Sequence, residues 1–155
     1  MSGAKAVWVR GGLAFFALAS FALGAYILIS PAGFFSWSWV NMGMAYNPHL
    51  MLDYGAMNLA AAVPLGAAAV VMTPVFVRTA LASYAVWSLA HFLIHLHFRS
   101  HAVAHTSATE ANLLVGVLGV GVVIPVVLLL LTLPGAELRG DQGEQRGDAD
   151  EAGDP

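Results

Sequence analysis

Residues 107–133 read SATEANLLVGVLGVGVVIPVVLLLLTL. Glu110 is the single charged side chain in that run, which ends before Pro134-Gly135. A helix needs about 20 predominantly apolar residues to cross a bilayer, and this stretch exceeds that length. Lipid offers no partner for backbone N–H and C=O groups, so a spanning segment must satisfy them within itself, as a helix does. This stretch is a transmembrane helix by length and composition.

Three further stretches of the chain repeat the pattern. The first runs from about Val7 to Ile29 and stops at Ser30-Pro31. The second opens at Asn47-Pro48, an N-cap residue followed by proline at the first helical position, and continues to about Thr73. The third covers about Arg78 to Phe98. The expected spans are therefore 7–29, 48–73, 78–98 and 107–133. Pro64 and Pro125 fall inside two of them, where membrane helices tolerate a kink. Lys5 and Arg10 as a basic n-region, with Ala17-Leu18-Ala19 after them, resemble a signal peptide. The apolar run continues to Ile29, which favours a retained helix.

Composition agrees. Of 155 residues, 59% are apolar and 10% charged, against about 45–50% and 25% in ordinary soluble domains. Mean hydropathy is +0.75. Cysteine is absent, which excludes disulfides, thiolate metal sites and cysteine nucleophiles. Seven of the nine acids lie in residues 136–155, a Gly- and Asp-rich tail expected to be disordered. The earlier residues hold two acids, Asp53 and Glu110, and four bases, Lys5, Arg10, Arg78 and Arg99. No basic patch suits nucleic acid.

The positive-inside rule sets the direction. With four spans both termini share a side, and a cytoplasmic placement leaves only Arg99 outside. The expected fold is an all-α integral membrane four-helix bundle, N-in/C-in. It comprises a helical domain over 1–135 and a cytoplasmic tail over 136–155. Small residues (Ala56 and Ala60, Ala61 and Gly66 to Ala69, Gly116, Gly119 and Gly121) suit close helix packing. The aromatics of the 31–46 loop (Phe34, Phe35, Trp37, Trp39, Tyr46) suit either the headgroup level or a lid over a site.

This topology gathers all six histidines (His49, His91, His95, His97, His101, His105) and both acids on the outer side. His49 and Asp53 stand four apart on one helix, and His91 and His95 four apart on the next, so each pair shares a face. Three imidazoles and one carboxylate at similar depth would suit zinc, copper(II) or iron, and haem iron also takes imidazole. Met42, Met44, Met51 and Met57 lie on the same side and would favour copper(I) if they ligate; as core residues they are packing. Plainer readings apply elsewhere. His49 and Asp53 suit an i,i+4 ion pair, Glu110 suits a capping box with Ser107, and His97, His101 and His105 suit solvation near the interface. His91 and His95 need partners inside an apolar helix, and Asp53 is the expected one. The candidate metal ligands are His49, Asp53, His91 and His95. No enzyme motif is present.

YNPHLMLDYGAMNLAAAV (residues 46–63) and AHFLIHLHF (residues 90–98), with the Pro31-Ala-Gly-Phe span end, resemble a family of small four-helix bacterial membrane proteins related to the DoxX-like group. The resemblance covers roughly residues 10–133. It implies a four-helix inner-membrane bundle whose Asn-x-His-x-x-x-Asp and His-x-x-x-His elements correspond to His49, Asp53, His91 and His95. Two functions are expected to compete: metal or haem binding at the outer face, for metal handling or electron transfer, and a non-catalytic accessory role in a larger membrane complex or homo-oligomer. A proton relay is disfavoured, because no ionisable residue continues inward.

Overall fold

Asn47 illustrates how the chain sets its helix starts. Its side-chain Oδ1 accepts from the Leu50 backbone N–H at 3.2 Å, and Pro48 takes the first helical position. Ser107 does the same, its hydroxyl accepting from Glu110 N–H at 3.1 Å. The structure, a computed structural model, describes residues 3–133, and the expected tail lies outside them. All elements are helical: α1 (Gly3–Ile29), α2 (Pro31–Phe35), α3 (Ser38–Asn41), α4 (Pro48–Val71), α5 (Pro74–His97), α6 (Arg99–His105) and α7 (Ala108–Leu131).

Helices α1, α4, α5 and α7 are long and apolar enough to cross a membrane. Each of the three 24-residue helices rises about 36 Å. Helix α5 starts four residues earlier than the hydropathy pattern suggests. Met72 ends α4 in the left-handed conformation (φ 55°), and Pro74 opens α5 at once. Pro64 and Pro125 stand inside α4 and α7 without ending them.

The four long helices form a closed ring in which α1 packs on α4, α4 on α5, α5 on α7 and α7 back on α1. The α1–α4 contact is the most extensive. Buried positions on α4 run Met51, Gly55, Asn58, Ala62, Leu65, Ala69, alternating steps of four and three. Helix α1 answers with Val9, Leu13, Phe16, Ser20, Gly24 and Ile27. That periodicity is the seam of nearly aligned helices packed knobs into holes. The closest approach is at Gly24, where an added Cβ would lie 2.7 Å from the Gly55 carbonyl oxygen and 2.9 Å from Leu59 N.

The small residues singled out by sequence divide: Ala68 and Ala69 are buried in the core, and a Cβ at Gly66 would meet Ala17 of α1 at 3.7 Å. Ala56 and Ala60 are exposed, and nothing lies within 4 Å of a Cβ built at Gly116 or Gly121. The outside of the bundle is apolar throughout, with Val70 79% and Val63 71% exposed. Such a surface would associate in water, whereas lipid solvates it. At the end opposite the histidines, Arg78 closes the ring by donating from Nε to the Thr132 carbonyl at 3.2 Å, with Nη2 on the same oxygen. A cation on the last carbonyls of α7 also complements the helix dipole.

Candidate functional site

Antiparallel α4, α5 and α7 place the start of α4, the end of α5 and the start of α7 at one end, with α2, α3 and α6 between them. All six histidines are here. Five of them fall in three i,i+4 pairs (His49 with Asp53, His91 with His95, His101 with His105), each with distinct surroundings, and His97 stands apart.

His49 and Asp53 form the most exposed pair. His49 Nδ1 and Asp53 Oδ2 stand 2.8 Å apart, with side chains 86% and 65% exposed. A pair so open to its surroundings is worth at most about 1 kcal/mol. It is the ion pair the spacing suggested, turned away from the bundle interior.

His91 and His95 form the second pair, half-buried on α5. Their rings meet edge to face, centroids 4.7 Å apart. His91 lies parallel to Trp87 at 5.3 Å and stacks on Tyr54 of α4 at 6.0 Å. The neighbour from α4 is thus Tyr54 and not Asp53. Adjacent residues on a helix point about 100° apart, so turning Tyr54 inward turns Asp53 out. No hydrogen bond links either imidazole to another described residue, and no three His, Asp or Glu side chains among the described residues form a group able to hold a metal. The four candidate ligands therefore stand as two separate pairs.

The aromatic loop divides between the two readings its composition allowed. Phe34 is buried and packs on Tyr54 (6.3 Å), Trp37 (5.4 Å) and Tyr26 (6.2 Å), roofing the ring that stacks on His91. Trp37 and Trp39 stack at 5.1 Å and stay about 40% exposed, as amphipathic rings at a headgroup level do. The rings continue downward from Trp87 to Tyr84 and Phe16. Sequence reasoning missed Tyr54 and Trp87 as the walls of the imidazole site. The signal was Trp87 at one turn before His91, a spacing as regular as that of His95.

The methionines divide as packing residues do. Met51 joins Ile27 and Phe34 in a small core, and Met42 packs on Ala102 and Ala111. Met44 and Met57 face outward. Half of the expected capping box forms: Ser107 caps the Glu110 N–H, while Glu110 Oε2 accepts from the Ser107 hydroxyl at 3.2 Å and not from its backbone N–H. Glu110 also edges an apolar groove of about 200 Å³ with Trp39, Leu113, Leu114 and Val117. His97 packs edge-on against Phe98, where the helix breaks for one residue, so it does not continue the line of His101 and His105.

No protein-family model, curated protein or solved structure matches the chain.

Proposed function

We propose that this is a four-span protein of the bacterial plasma membrane, both termini cytoplasmic, that at its outer face binds a transition-metal ion through His91 and His95, or haem iron through one of them. Copper, zinc and iron all accept imidazole nitrogen. The observation that carries the reading is the state of that pair. Two half-buried imidazoles face each other inside an apolar span, walled by Trp87 and Tyr54, with no hydrogen bond to any described residue. Polar groups held at membrane depth are costly and mark functional sites. Two nitrogens without protein partners are free to ligate, and the aromatic walls limit water access, which tunes a bound metal. His49 and Asp53, at the surface, suit a capture role ahead of this site. Kinship with the DoxX-like group belongs to the same proposal and rests on residues 46–63 and 90–98.

Metal analysis of the purified chain, with an absorption spectrum for haem, tests it. The expected result is bound metal that His91→Ala and His95→Ala each abolish. Metal retained by both variants would remove this assignment.

A second reading, a non-catalytic subunit of a larger complex, draws on α7. It is the least buried of the four spans, and Gly116 and Gly121 on it have open space where a Cβ would stand. Such a face accepts another helix closely.

A further inference from the structure

The third histidine pair carries an inference independent of the second. His101 and His105 lie on α6, four residues apart, both exposed, with ring centroids 4.3 Å apart. Exposure means that neither ring needs a partner for burial, so solvation is the plain expectation. The geometry of His105 departs from a freely solvated ring in two ways. Its Nδ1 stands 3.0 Å from the His101 carbonyl oxygen. A carbonyl can only accept, so Nδ1 carries the hydrogen and Nε2 keeps its lone pair. The ring also lies flat against Gly43, a loop residue with φ +77°, where any Cβ would collide with it.

Fixing the tautomer through a carbonyl on the other nitrogen is how proteins orient metal-bound histidine. Here the device is assembled on an exposed side chain whose i,i+4 neighbour is a second imidazole. The geometry points to a second metal site at this end of the bundle: His101 and His105 together bind an exposed divalent late transition-metal ion, His105 through Nε2, with water completing the shell. Copper(II) forms the strongest complex with such nitrogen donors in the divalent series. His97 is not counted in this pair, since it stands on α5 before the one-residue break at Phe98 and not on α6. Gly43 is the positioning residue, since only glycine leaves room there for the His105 ring in this backbone conformation.

The test is a Cu(II) titration of the full, tag-free chain in detergent, followed by electron paramagnetic resonance, on the wild type and on His101→Ala, His105→Ala, His91→Ala and Gly43→Ala. The wild type is expected to show a Cu(II) signal with two-nitrogen hyperfine structure that persists in His91→Ala. In a His91→Ala background, where the deeper pair cannot supply two nitrogens, His101→Ala and His105→Ala should each lose it, with affinity at this site falling about tenfold or more, the scale on which even supporting contacts act. Gly43→Ala should weaken binding while both ligands remain. Near-ultraviolet circular dichroism shows whether each variant keeps its packing, and His105→Gln provides a second variant of similar size. Cu(II) binding unchanged by His101→Ala and His105→Ala in that background would overturn the proposal, as would a two-nitrogen signal lost only in His91→Ala. The latter outcome would leave the deeper pair intact as a site. Loss of binding at His91 and His95 alone would leave this one standing.

Discussion

Replacing Gly24 by alanine tests the packing that holds the histidine end in place. The new methyl would stand 2.7 Å from the Gly55 carbonyl oxygen, 2.9 Å from Leu59 N and 3.0 Å from Leu59 Cγ. The first two are backbone atoms of α4, so no rotamer change relieves them. Either α1 and α4 separate by several tenths of an ångström along their most extensive contact, or the ring deforms. Overpacking of this kind costs about 1–3 kcal/mol. In water, Gly→Ala would recover up to about 1 kcal/mol of helix propensity. In a membrane the separated helices remain helical, so little of that recovery is expected. Gly11→Ala on the same helix is the control, because nothing lies within 4 Å of a Cβ there. Unfolding in mixed micelles by titration with a denaturing detergent, read by near-ultraviolet circular dichroism, should place Gly24→Ala about 1–3 kcal/mol below Gly11→Ala. Equal stabilities for the two variants would refute the close α1–α4 crossing.

Three further outcomes are expected. A reporter fused after Pro155 should be cytoplasmic, and a tag inserted near Gly43 should be reachable from outside; an external C-terminus would reverse the orientation and the outer-face reading. Arg78→Ala should destabilise the bundle by about 1–2 kcal/mol, since it removes a charge-assisted clamp on the Thr132 carbonyl, and Arg78→Lys should recover only part of this in the same detergent titration. His91→Phe should keep the rings stacked on Trp87 and Tyr54 and leave stability unchanged or higher while abolishing metal binding. A loss above about 2 kcal/mol would mean that the imidazole is a structural element.

The spans were legible because crossing lipid demands an uninterrupted apolar length, and Asn47 and Ser107 announced two helix starts by their capping chemistry. Which face of each helix turns inward was not legible. In a soluble helix the polar face marks the outside, but here both faces are apolar: Val63 and Val70 face out while Ala62 and Ala69, one residue before each, face in. The same ambiguity explains the glycines, since Gly24 and Gly116 look alike in sequence and only one touches a neighbour. It also explains Asp53. Spacing tied it correctly to His49, but its angle to α5 depended on Tyr54 taking the inward position. His101 and His105 stood out by their spacing, but the break at Phe98 and the seat of α6 on Gly43 left no signal.

How polar side chains are satisfied within the spans separates His91 and His95 from several of their neighbours. Asn58 donates to the Tyr54 carbonyl at 2.8 Å, Ser88 to Ala85 at 3.1 Å and Thr79 to Val75 at 2.9 Å. Each of these finds its acceptor three or four residues back on its own helix, so it asks nothing of the neighbouring helix and confers no specificity on the pairing. An imidazole has a longer reach and two nitrogens, and no such bond engages His91 or His95. The preceding turn of α5 instead offers His91 an indole, and α4 offers it a phenol ring, each against the face of the imidazole and not its edge. Stacking of this kind holds a ring's plane while leaving both nitrogens directed past the aromatic walls. His91, held flat between these rings with His95 edge to face beside it and no hydrogen bond to a described residue, is the observation on which the metal-binding proposal rests.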